Sequence, residues 1–176
     1  MTRIDPVSLK ALPEKLQADI ERNKKARNII TDFQVRVWAH RPGLASKWLA
    51  LLEETGNSTL SERVRELVRL RIAAISGCQA CQLARKTDDV TEEDIACLTS
   101  DDPRFTAEEQ AAIRFAELFA DDYFSIDDKV YDDLRKHFTT EQIVDLNMYA
   151  ALMLGTGRIT YVQQAYEESA TSLVDA

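Results

Sequence analysis

Again and again along the 176 residues a threonine is followed three positions later by Glu, Asp or Gln, with an apolar run after it. Thr59-Leu60-Ser61-Glu62, Thr91 with Asp94, Thr106-Ala107-Glu108-Glu109 and Thr139-Thr140-Glu141-Gln142 all have the spacing of a capping box. In that motif a hydroxyl and a carboxylate or amide satisfy the free N–H groups of a helix start. Only five Gly and four Pro are present, too few for the tight turns of an all-β fold. Runs of Ala, Leu, Glu and Arg favour helix. The sequence therefore predicts an all-α fold of seven to eight helices, and the length suits one domain over residues 1–176.

In chain order, a first helix is expected from about Val7 to Asn28, interrupted near Pro13, with Leu12, Leu16 and Ile20 inward. A second runs from Ile29 to His40 and a third from Leu44 to Leu52, ending at Gly56-Asn57. Trp38 and Trp48 are expected in the core. Thr59 then opens a helix to Ile75 with the stripe Leu60, Val64, Leu67, Val68, Ile72 and Ile75. Arg71 falls inside this stripe, where a charge needs a carboxylate partner in the fold or across a subunit interface. Glu66 falls opposite, beside Leu70 and Ala73, so the helix is packed on more than one side. Ser76-Gly77 breaks it. Further helices are expected from Cys78 to Lys86, Thr91 to Leu98, Thr106 to Phe119, Asp127 to His137 and from Thr139 through Met153. Inward residues are Ala112, Phe115, Ala116 and Phe119, then Val130 and Leu134. Gly155 and Gly157 are expected to kink the last helix, and the tail from Glu168 to fray.

The chemistry concentrates at Cys78-Gln79-Ala80-Cys81. Two cysteines at i, i+3 share one helical face, close enough to bridge. A helix start favours the thiolate, the form that acts as a nucleophile. Arg85 lies four residues beyond Cys81 on the same expected stripe; its charge would stabilise a thiolate, but it cannot relay a proton. Glu66 is a candidate base, although a straight helical hairpin about Gly77 would leave it several Å too far along the helix from the thiols. Three readings stay open: a redox-active dithiol, half of a zinc site, and two inert buried cysteines. The zinc reading lacks a second ligand pair, because Cys97, His40 and His137 are scattered singles. Cys97 is expected in the core, the histidines at helix ends.

Charge and cysteine count narrow the partners. Thirty acidic against 22 basic residues give a net charge of −8, which argues against nucleic acid or an anionic membrane. Three cysteines is an odd count and fits a reducing compartment. With no charged-then-apolar leader and no long uncharged span, a cytoplasmic chain is expected.

From Leu60 to Tyr161 the sequence resembles the carboxymuconolactone decarboxylase family, which includes the AhpD-like alkylhydroperoxidases. The resemblance rests on Arg65-Glu66-Leu67-Val68-Arg69-Leu70-Arg71-Ile72-Ala73-Ala74-Ile75-Ser76-Gly77-Cys78-Gln79-Ala80-Cys81. Phe105-Thr106-Ala107-Glu108-Glu109 and His137-Phe138-Thr139-Thr140-Glu141-Gln142-Ile143-Val144-Asp145-Leu146 extend it. It marks residues 60–161 as the family-like core and 7–57 as added N-terminal helices. It implies a homo-oligomer, a trimer or hexamer, working without a cofactor or metal. It also implies roles: Cys81 attacks a peroxide, Cys78 resolves the sulfenic acid, Glu66 accepts the proton. Arg85 stands where the peroxidase branch has a relay histidine, and Gly157-Arg158 stands where many members have Asn-Arg. The expected function is reduction of hydroperoxides, with an external dithiol reopening the disulfide. The alternatives are decarboxylation or isomerisation of a small carboxylate held by Arg71 or Arg85, and a non-catalytic helical assembly.

Overall fold

The structure, a computed structural model, describes residues 2–166. Among them every regular element is helical. The α-helices are α1 (Glu14–Lys25), α2 (Phe33–Trp38), α3 (Pro42–Glu54), α4 (Glu62–Ser76), α5 (Gln79–Leu83), α6 (Glu92–Ala96), α7 (Ala107–Asp121), α8 (Asp128–Leu134) and α9 (Thr140–Gln163). None of the described helices is long and apolar enough to cross a membrane. The expectation for the tail from Glu168 lies outside the described residues.

Two compact units divide the chain. Among the described residues the first holds 2–57 and 159–166; the second runs from Ser58 to Arg158. In the first unit α1 packs on α3 through Leu16, Ile20, Leu49 and Leu52, all buried. Here the sequence overestimates helix length. The first long helix begins only after Pro13, at α1, preceded by a 3-10 turn at Leu9–Ala11. A proline fixes its own φ and pushes the residue before it toward extended backbone, so it starts a helix better than it continues one. The second helix shrinks to Phe33–Trp38, because Arg27 turns left-handed (φ 55°) and Asn28 folds back on Asn23. Trp38 and Trp48 are half-buried, in edge-to-face contact at 6.2 Å, rather than in the core.

In the second unit α4 packs against α7, and Leu67, Leu70, Val90, Leu98, Phe105 and Ile113 close one core. Capping boxes form at Thr91 with Asp94 and at Thr106 with Glu109. Thr139 and Gln142 exchange the same pair of bonds at the start of α9. The fourth is displaced: Ser61, not Thr59, caps α4, accepting from the Val64 N–H. Thr59 is held elsewhere: its N–H donates to Asp145 Oδ2 at 3.0 Å, and the hydroxyl of its neighbour Ser58 donates to the same oxygen at 2.9 Å. Asp127 caps α8. Cys97, expected in the core, is half-buried and free at the end of α6. Phe119, Val130 and Ile75 are likewise only partly covered.

Candidate functional site

Helix α4 ends where the sequence breaks it. Gly77 takes the left-handed conformation (φ 69°), and the Cys78 N–H returns to the Ala73 carbonyl at 3.2 Å, a left-handed helix stop. Cys78 then stands just before α5, and Cys78 and Cys81 are joined as a disulfide, their Cα atoms 5.2 Å apart. Cys78 is fully buried; Cys81 keeps part of its surface exposed.

The expected helix to Lys86 stops at Leu83, and Ala84 is extended. This turn changes which groups meet. Arg85 leaves the stripe of Cys81 and binds Glu92 through Nε and Nη2, at 2.8 and 3.0 Å. Its remaining donor goes to the carbonyls of Gln82 and Ala84. The loop itself, rather than a straight hairpin, comes back to Glu66: the Lys86 N–H donates to Glu66 Oε1 at 3.1 Å.

Glu66 and Arg69, one turn apart on α4, are both buried, at 2% and 4% exposure. Arg69 donates to both Glu66 oxygens at 2.7 Å. It also donates to the carbonyl of Cys81 at 2.6 Å and that of Ala84 at 2.7 Å. One guanidinium thus ties the carboxylate to the backbone that carries the second cysteine. The planar, permanently charged fork of arginine suits four convergent acceptors in a way that lysine does not. Nothing in helical periodicity singles out Arg69. Its signal was the i, i+3 pairing with Glu66 on the second apolar face.

Two further groups belong to this hub. Withdrawal of the Lys86 ammonium from water, with Arg69 and Arg65 nearby, pushes its amine down to about 7 against the pull of Glu66, although the side chain keeps partial exposure. Burial pushes the Tyr149 hydroxyl up to about 12. An amine near 7 can accept a proton at neutral pH, whereas this phenol stays protonated.

Helix α9 closes the site from the far side and runs unbroken through Gly155 and Gly157. Gly157 has a different purpose from the expected kink. A Cβ there would lie 3.2 Å from Ser76 Oγ and 3.6 Å from Cys78 Cβ. Glycine lets α9 approach the cysteine turn closely. Arg71, the other candidate, points elsewhere. It pairs with Glu117 at 2.9 Å and lines a polar hollow with Ser100, Asp101 and Asp121, without either disulfide cysteine. His40 bonds to the Asp5 carbonyl at 2.9 Å. Among the described residues no group of three or more His, Cys, Asp or Glu could hold a metal ion.

Residues 42–118 match the carboxymuconolactone decarboxylase family. Over 100 residues the chain is 31% identical to the uncharacterized protein YdfG of Bacillus subtilis (strain 168), a match covering 52% of this chain and 67% of that protein. The fold is similar to that of the debrominase Bmp8, with a TM-score of 0.82 at 13% identity, covering 99% of this chain and 97% of the other. It is also similar to an AhpD-core, peroxidase-related protein from Ralstonia eutropha JMP134, with a TM-score of 0.73 at 20% identity, covering 96% and 94%.

Proposed function

Because the chain belongs to the carboxymuconolactone decarboxylase family, we propose that it is a thiol oxidoreductase whose Cys78–Cys81 pair reduces hydroperoxides. The observation that carries this reading is the unequal exposure of two cysteines in bonding contact. The partly exposed Cys81 meets the substrate, and the buried Cys78 waits behind it.

The Cys81 thiolate attacks the terminal peroxide oxygen. An S–O bond forms, the O–O bond breaks, and the alcohol leaves with one proton. The Cys78 sulfur then attacks the sulfenic sulfur, and water departs as the disulfide closes. An external dithiol reduces that disulfide by exchange and is itself oxidised. The proton given up by Cys81 passes to the departing alkoxide, which leaves as the alcohol. Glu66 acts through Arg69, fixing the Cys81 carbonyl, rather than as a free base. Arg85 holds the loop to Glu92. The working form is a homo-oligomer. Val144 and Met148 on α9 are exposed at 56% and 58%, an apolar face one turn apart that a second copy would cover.

The test is steady consumption of an organic hydroperoxide with dithiothreitol as reductant. Turnover that disappears in Cys81→Ser and in Cys78→Ser supports the reading. Equal consumption by the native protein and both variants overturns it.

A further inference from the structure

Away from the thiols, the first unit contains a cavity of about 350 Å³. Its walls come from α2 and α3 and its floor from the end of α9. Val37, Leu44, Trp38 and Trp48 make it apolar, and both indoles present surface to it. The volume is at the small end of the range of about 300–1,000 Å³ found for small-molecule sites.

The polar side chains at this cavity are few: the Trp indoles, the Gln163 amide, the His40 ring and Arg41. The Trp38 Nε1–H donates to Gln163 Oε1 at 3.0 Å, which fixes the Gln163 amide and leaves its nitrogen as the donor. Arg41 lines the cavity at the start of α3, exposed, with no acidic partner among the described residues. Among the described residues no carboxylate lines the cavity, although the chain carries 30 acidic residues and a net charge of −8. In so acidic a chain, an arginine at the rim of an apolar cleft favours a negatively charged ligand.

The cavity is also held in shape. The N-terminal segment crosses the end of α9: the Arg3 N–H donates to the Gln163 carbonyl at 2.9 Å and its Nη1 to the Val162 carbonyl at 2.8 Å. The His40 ring bonds to the Asp5 carbonyl, so Ile4, part of the lining, is pinned on both sides. A preformed cleft of this kind loses little entropy on binding.

We propose that this cavity binds a small aromatic carboxylate, with its ring against Trp38 and Trp48 and its carboxylate on Arg41. Aromatic rings gain from edge and face contacts beyond their buried area, and the arginine fork matches a carboxylate in geometry and charge. The site is independent of the dithiol reading.

Trp38 and Trp48 are the two tryptophans of the chain, so indole fluorescence reports on this cavity directly. The full-length protein is titrated with benzoate and, as a neutral isostere, with benzamide. A saturable change in emission with benzoate is expected, and binding of benzamide weaker by roughly tenfold or more, the scale of one charge-assisted contact. Arg41 is exposed, so Arg41→Gln should fold normally, lose that preference and leave benzamide binding unchanged. The double variant Cys78→Ser/Cys81→Ser should bind benzoate like the parent, which separates this site from the thiol chemistry. Absence of a saturable benzoate response at millimolar concentration overturns the proposal. So does equal binding of the two probes, or a preference that survives in Arg41→Gln. Emission that changes only on dilution, in step with a fall in molecular mass, overturns it too, by showing that a second copy of the chain fills the cleft.

Discussion

Two arginines, two residues apart on α4, form ion pairs of opposite character. Arg69 and Glu66 are withdrawn from water, with side chains 4% and 2% exposed, and Arg69 also holds two loop carbonyls. Arg71 and Glu117 keep 26% and 14% exposure, at the wall of a polar hollow. On one helix, then, burial decides what a charge does. A buried pair gains little net stability over an apolar pair, but removing one partner leaves the other charge stranded. A half-exposed pair keeps solvent as a substitute partner. The same difference separates the face of α4 that carries the cysteine loop from the face that does not.

The largest expected effect comes from splitting the buried pair. Arg69→Met should cost about 3–5 kcal/mol, because Glu66 is left charged without its cation. It should also slow disulfide closure, since the Cys81 carbonyl loses its anchor. Glu66→Gln combined with Arg69→Met should recover much of the stability and none of the anchoring. Thermal unfolding and intact-mass kinetics measure the two effects; a single-variant loss below about 1 kcal/mol would remove the contrast with Arg71.

Next in size is the close approach of α9. Gly157→Val should cost about 1–3 kcal/mol by overpacking against Ser76 and Cys78. Gly157→Ala should cost less, since only the rotatable Ser76 hydroxyl is close enough to be displaced. Urea midpoints for the two variants give the comparison, and equal midpoints would mean that the helix does not bear on the cysteine turn.

Lys86 makes the cysteine-loop face sensitive to pH. Its amine is pushed down from 10.5 to about 7, so between those values the unfolded chain holds a proton that the folded chain lacks. Unfolding takes up that proton, and this group's contribution makes stability rise with pH across the window. The penalty is fully present below about 7, where the fold must carry the ammonium. Lys86→Met should therefore be more stable than the parent below neutrality, with an advantage that shrinks as pH rises. A constant difference from acid to alkaline pH would contradict the burial of this charge. The smallest effects belong to the exposed partners. Arg71→Ala should cost about 0–1 kcal/mol in thermal unfolding. Arg85→Ala should leave the pH profile of Cys81 alkylation unchanged, since Glu92 already occupies that guanidinium.

Much of this was legible in the sequence, and the rest depended on contacts that local patterns do not encode. Capping boxes located α6, α7 and α9 because a cap is satisfied within four residues. The α4 cap moved by two positions because Asp145, far along the chain, captures Ser58 and Thr59. Periodicity drew attention to Arg71, a charge inside an apolar stripe, and passed over Arg69, which lies on a second face. That face is buried by the loop from Ala84 to Lys86, a segment expected to be helical. The same misjudged segment placed Arg85 beside Cys81 and gave no reason to look at Lys86. Gly157 read as a kink because a close approach between helices leaves no trace in local sequence.

The central claim is that the partly exposed Cys81 is the nucleophile and the buried Cys78 resolves it. Cys78→Ser, reduced and treated with one equivalent of hydroperoxide, isolates the first step. A sulfenic acid trapped by a cyclic diketone and mapped by peptide mass spectrometry should lie on Cys81, while reduced Cys81→Ser should trap little or nothing at Cys78. Label on Cys78 in Cys81→Ser, with Cys81 unlabelled in Cys78→Ser, would reverse the roles and contradict the account.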